Sequence, residues 1–290
     1  MTPFPLPVRL TLLLFVTASA PLTAQNGVPN QAAFALRVAQ AHQQGEQKQK
    51  VTSFVTTIDL EMKDATKDKG GHVALDVAFL EFQEPKRKRP TTLLRYESRS
   101  SDKPVVRGQD KLGPWHLSGG KPQDLTGAQQ EEDLKSFLEH KNLAKQLIRF
   151  LLPGDVIRSL SNCSEVREQK LQLTRDTFLD TLAIDGDVAK FPMMQNAGEE
   201  APARLTIYVD KKTDRLVAID VTPLKDGKAQ PGKGERIKLE RLEQRSGMIV
   251  PTRLQYLWRD AKGGLRSHST VNIFKLNLEP RLQPSDFDRI

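Results

Sequence analysis

The chain has 290 residues, 28% of them charged, and 44 Lys and Arg outnumber 36 Asp and Glu for a formal net charge of +8. A single cysteine, Cys163, excludes a disulfide-stapled domain, so stability has to come from a hydrophobic core, within which a lone cysteine serves as a small apolar residue. The basic excess draws the chain mildly towards anionic surfaces, whereas the lack of an aromatic–basic RNA-binding motif argues against nucleic acid.

Arg9 and the free amino terminus precede an apolar stretch from Leu10 to Ala20, and small residues follow up to Ala24. That is the pattern of a secretory signal peptide; a membrane-spanning helix needs about 20 continuous apolar residues. Residues 1–24 are therefore expected to be removed, leaving 25–290 as a single domain in the periplasm or outside the cell. No cysteine adjoins the signal's end, so an acylated amino terminus is not expected.

Asn30 predicts the N-cap of a helix over 31–45, with Phe34, Val38 and Ala41 on one face. Residues 51–62 alternate as a long strand, with Phe54, Ile58, Leu60 and Met62 sharing one parity. A second strand over 72–83 alternates through Val73, Leu75, Val77 and Phe79, then switches parity at Leu80 and Phe82, which predicts a bulge or strong bend. The proline-flanked basic run Lys86, Arg87, Lys88 and Arg89 forms a hairpin tip before a strand over 91–100. Short strands are predicted at 103–108 and 112–117, the second within an extended loop region around 109–130. Leu134, Phe137, Leu138, Leu143, Leu147, Ile148 and Leu151 then take helical spacing, so a helical insert is expected over 128–160. Beyond it, 170–185 reads as extended with turns at Asp185-Gly186-Asp187. The hairpin 203–222 turns at Lys211–Asp214, and strands over 235–244, 249–259 and 265–278 complete a meander of about ten strands.

Catalytic signatures are lacking: there is no His-Glu-x-x-His, Gly-x-Ser-x-Gly, Walker loop or dinucleotide fingerprint. His42, His72, His116, His140 and His268 show no ligand-like spacing, so neither metal nor cofactor is expected. Asp210 and Asp214 read as turn residues first and calcium ligands second. The run Lys86–Arg89 has two readings, a solvated turn that discourages edge pairing and a docking patch for an anionic membrane or acidic envelope partner. Trp115 likewise reads as core packing or as the lining of an apolar cavity.

The order of elements, the hairpin from Leu205 to Asp220 with its Asp-Lys-Lys-Thr-Asp turn, and the late strand ending Phe274-Lys-Leu-Asn-Leu278 resemble the LolA/LolB-like superfamily of periplasmic lipoprotein carriers. The resemblance implies a mainly β, α+β fold: a strongly curved antiparallel sheet forming an incomplete barrel, covered by the amino-terminal helix and the helical insert as a lid. It also implies a soluble, monomeric, non-catalytic protein that carries a lipid or lipoprotein acyl chains. The expected lining is Phe54, Ile58, Leu60, Val77, Phe79, Trp115, Leu147, Phe150, Leu151 and Phe274. Two rivals use the same chain differently: an envelope interaction protein working through its basic surface, and an envelope hydrolase with carboxylates assembled across loops.

Overall fold

The computed structural model describes residues 28–42, 52–62, 71–84, 91–99, 105–118, 120–125, 164–174, 176–187, 203–230, 234–259 and 264–288. The expected signal peptide, the basic run Lys86–Arg89, the helical insert with Leu147, Phe150 and Leu151, and Cys163 lie outside them.

The amino-terminal helix α1 spans Gln31–Ala41. The Asn30 side chain caps it by accepting from the Ala33 amide at 2.9 Å. The first strands are β1 (Ser53–Met62), β2 (Gly71–Phe82), β3 (Thr91–Ser98), β4 (Val105–Gln109), β5 (Pro114–Ser118) and β6 (Lys121–Asp124). The second group comprises β7 (Arg167–Gln172), β8 (Phe178–Asp187), β9 (Ala203–Asp210), β10 (Leu216–Lys225), β11 (Lys228–Ala229), β12 (Glu235–Arg245), β13 (Met248–Arg259) and β14 (Leu265–Asn277). A 3-10 turn, Pro284–Phe287, closes the described chain.

All fourteen strands belong to one curved, open antiparallel sheet ordered β6-β5-β4-β3-β2-β1-β14-β13-β12-β10-β9-β8-β7, with β11 hydrogen-bonded to β10 beside that path. Each group is a meander of neighbours, and the pairing of β1 with β14 welds the two together. Among the described residues fourteen strands stand where ten or so are predicted, because three segments are more regular than their sequences announce. Residues 167–187 split into β7 and β8, and Lys121–Asp124 adds an edge strand of wholly exposed residues. The Asp226-Gly227 turn, at φ 52° and 73°, folds β11 back on β10. Both central residues of such a two-residue hairpin need positive φ, and Ser246-Gly247, at 45° and 77°, does the same between β12 and β13.

Two local expectations are corrected. Asp185-Gly186-Asp187 is not a turn but the end of β8, paired in register with Thr206, Leu205 and Arg204. The parity switch at Leu80 is not a bulge either, since β2 pairs without a register break to both β1 and β3. Leu80 faces away from Phe79, sits directly across from Leu93, and the two are covered by Phe287 of the terminal 3-10 turn. The sheet is thus buried on both sides at this point, which a strand signals by continuous rather than alternating hydrophobicity. The register breaks fall instead at Val55/Thr57, Leu216/Ala218 and Tyr256/Leu257.

Candidate functional site

The main core occupies the sheet face that receives α1, here the inner face. Phe54, Ile58 and the half-buried Leu60 of β1 lie on it with Leu75, Val77 and Phe79 of β2 and Leu94 and Tyr96 of β3. Cross-strand register brings them together: Phe54 stands opposite Phe79, Ile58 opposite Leu75, Phe79 opposite Leu94 and Val77 opposite Tyr96. The Phe54 and Phe79 rings stack with centroids 5.3 Å apart and planes within 8°. Phe34, Ala35 and Val38 of α1 join the same core, as do Leu205, Ile207 and Val209 of β9.

Five of the expected lining residues, Phe54, Ile58, Leu60, Val77 and Phe79, therefore form one apolar wall. Trp115 and Phe274 do not belong to it. Trp115 pairs with Gly108, which pairs with Arg95, which pairs with Ala78, and directly paired residues share a face; Ala78 lies on the outer one with Leu80. The buried indole lies across Gly108, where an added Cβ would come within 2.5 Å of it, so Trp115 is a packing residue that requires glycine opposite. Phe274 pairs with Thr57 on the outer face and is 47% exposed, while its neighbour Ile273, opposite Ile58, takes the inner position. Leu75, Leu94 and Tyr96 complete the wall and were not picked out from sequence. Leu93-Leu94 offers both parities, and only the register with β2 shows that Leu94 faces inward.

The helix is fastened to one end of this face by polar side chains. Arg37 donates through Nε and Nη2 to both carboxylate oxygens of Asp214, at 3.0 and 2.7 Å. Asp214 has φ 55° and ends the turn that Asp210 organises by accepting from the Lys212 amide and the Thr213 hydroxyl. The Asp-Lys-Lys-Thr-Asp segment is thus a clamp for α1, and its carboxylates already have partners. His42, fully buried just past the helix, joins two hairpins: Leu216 N–H donates to its Nε2 at 3.0 Å, leaving Nδ1 to donate to the Ile249 carbonyl at 2.8 Å. Helix α1 ends at Ala41, and residues 43–45 of the predicted helix lie outside the described residues.

Burial holds the His42 imidazole below its ordinary 6.5, opposed by the Ile249 hydrogen bond and reinforced by Arg215. A native pKa below the unfolded one means the unfolded chain takes up the proton first. The stability it contributes is therefore complete above about pH 6.5 and lost as pH falls below that value. The thermal midpoint is expected to drop between about pH 7 and pH 5 by up to the equivalent of about 1.4 kcal/mol per pH unit. His42→Gln, whose amide can donate to Ile249 and accept from Leu216, should lose this component; identical slopes in both proteins would refute the assignment.

The outer face carries a second feature that no sequence signal announced. Asp185, Thr206, Asp220 and Arg236 are successive cross-strand partners on β8, β9, β10 and β12. Arg236 holds Asp220 bidentately, at 2.6 and 2.7 Å, and donates to the Gln172 carbonyl at 3.0 Å. Arg259 adds a bond to Asp220 Oδ2 at 3.0 Å, and the Tyr208 hydroxyl lies 3.2 Å from the same oxygen. Burial, then the Asp220 charge, pushes the Tyr208 phenol up to about 12, so it stays protonated and donates. Burial works against the Arg236 cation, but the hydrogen bonds and charge of Asp220 outweigh it and its pKa is raised. One carboxylate between two guanidinium groups is a charge-paired anchor, not an acid–base couple.

No family model and no curated protein matches the chain. Among solved structures, it is similar to a putative outer membrane lipoprotein-sorting protein domain from Vibrio parahaemolyticus, with 12% identity and a TM-score of 0.40 over 89% of this chain and 95% of that one. It is also similar to a DUF1329 family protein from Desulfovibrio piger, with 10% identity and a TM-score of 0.43 over 89% and 95%. A LolA superfamily protein from Nitrosomonas europaea gives 13% identity and a TM-score of 0.37 over 89% and 97%. At these identities and scores the likenesses assign neither a ligand nor an activity.

Proposed function

We propose that the protein is an exported, non-catalytic binder of a hydrophobic ligand, a lipid or lipoprotein acyl chains, which it carries across the periplasm as a monomer. The observation that carries this reading is the disproportion between the apolar inner face and the helix fastened to it. Eleven residues of α1 span about 16 Å, whereas the strand path across the sheet spans about 58 Å of arc. An unclosed sheet whose apolar wall exceeds the one α-helix among the described residues suits an occupant that shields, and is shielded by, the same side chains. Each methylene kept from water contributes about 0.8 kcal/mol, so an acyl chain crosses an aqueous compartment only within such a shelter. Phe54, Val77 and Phe79 are buried to within 4% of completely, so an occupant reaches them by displacing what covers them.

Native mass spectrometry of the protein purified from its own envelope fraction is expected to show a co-purifying lipid mass that organic extraction removes. Ligand-free protein that also fails to enhance the fluorescence of N-phenyl-1-naphthylamine would refute the reading.

A further inference from the structure

Helix α1 is attached to the sheet by polar bonds at two points, and pH acts on them differently. Midway along the helix, Arg37 holds Asp214 through a guanidinium that keeps its charge throughout the physiological range. Just past the carboxyl end the attachment is His42, whose ring and backbone both bond outward. The ring accepts from the Leu216 amide and donates to the Ile249 carbonyl, and the His42 carbonyl accepts from the Ile249 amide at 3.0 Å. Leu216 lies beside the register break of β10 and Ile249 near the turn of the β12–β13 hairpin, so one residue ties the helix to two hairpins.

Only a neutral imidazole fits this place. Nε2 has to accept from the Leu216 N–H, whereas a protonated ring carries a donor on both nitrogens. Protonation sets N–H against N–H in a site with no exposure. The neighbouring charges among the described residues offer the cation no relief. Helix α1 carries Arg37 as its one charge. On the β9–β10 turn Asp210 and Asp214 are engaged by Thr213 and Arg37, while Arg215 opposes a charge on the ring. On the β12–β13 hairpin Arg245 and Glu243 pair with one another.

We propose that His42 is a pH-operated latch: proton uptake frees the carboxyl end of α1 from Leu216 and Ile249 while Arg37 keeps the helix tethered, which uncovers the part of the inner wall under Phe34 and Val38. That the uncovered wall then exchanges its occupant rests on the apolar-ligand reading above; the opening itself does not.

Amide exchange followed by NMR on the full chain tests the latch, because the Leu216 and Ile249 amides form the bonds at issue. An open state whose ring titrates near the ordinary 6.5, set against a closed state that stays neutral, gains about tenfold in population between about pH 7.5 and about pH 5.5. Protection at Leu216, Ile249 and the last turn of α1, corrected for the intrinsic exchange rate, is expected to fall by that factor while Ile207 and Leu239 in the core keep theirs. Release of N-phenyl-1-naphthylamine should quicken to the same extent. In His42→Gln neither change should occur. Unaltered protection at Leu216 in the wild type, an equal fall at Ile207, or the same fall in His42→Gln overturns the latch. Fluorophore binding alongside pH-independent exchange overturns the latch and leaves the apolar-ligand reading intact, whereas a local fall in a protein that binds no fluorophore supports the latch and overturns that reading. Should His42→Gln not fold, the wild-type comparison decides alone: a fall confined to Leu216, Ile249 and α1 supports the proposal, and any other pattern refutes it.

Discussion

Asp220→Ala is expected to cost about 3–5 kcal/mol of folding free energy, the largest loss from any single substitution outside the inner core. Asp220 and Arg236 are 5% and 4% exposed, so deleting the carboxylate leaves a buried guanidinium without its counter-ion and strands the phenol of Tyr208. The nearby Arg259 then repels where it had been attracted. The desolvation of a buried cation is tolerated only while its partner is present, which makes removal of one partner far costlier than the net worth of the pair. Urea unfolding followed by circular dichroism measures the loss, and a change below about 1 kcal/mol would show that water reaches the cluster freely. The double variant Asp220→Leu, Arg236→Met should recover most of the deficit, because two apolar side chains of similar size carry no desolvation penalty.

Phe79→Ala is expected to cost about 3–5 kcal/mol, the lost transfer energy of the ring plus the cavity left behind. Its ring stacks on Phe54, and such pairs contribute about 0.5–1.5 kcal/mol beyond their burial. The Phe54→Ala, Phe79→Ala double variant should therefore fall short of the summed single losses by that amount, read from the same unfolding curves. Strict additivity would mean the two rings do not interact in solution. Phe274→Ala, on the outer face and 47% exposed, is the matched control and should stay within about 0.5 kcal/mol of wild type. A loss as large as that of Phe79 would place Phe274 on the inner wall and reverse the register of β14.

The two predictions bear on opposite faces, and together they describe how an open sheet holds its shape. The outer face is tied across β8, β9, β10 and β12 by side-chain hydrogen bonds and the Asp220 anchor. The inner face is held mainly by apolar contact, with the Arg107 guanidinium donating to the Tyr96 hydroxyl at 3.4 Å towards its β4 side and α1 fixed at one end through Arg37 and His42.

Alternation along single strands determined a great deal: Phe54, Ile58 and Leu60 had to share a face within β1, and Val77 and Phe79 a face within β2, because successive side chains in a strand point to opposite sides. Asn30 announced its helix, and Lys211–Asp214 the turn of its hairpin, because both act on backbone atoms only a few residues away. What alternation cannot supply is the register between strands, and a shift of one residue exchanges the faces of a whole strand. That is why Trp115 and Phe274, apolar and well patterned, turn outward, and why Arg107 meets Tyr96 on the inner face. The same holds for Asp220 and Arg236, 16 residues apart on different strands: each is an ordinary polar residue until β10 and β12 pair. Local chemistry is written within a few residues, whereas the two faces of a sheet, and hence its anchor and its wall, exist only once distant strands have aligned.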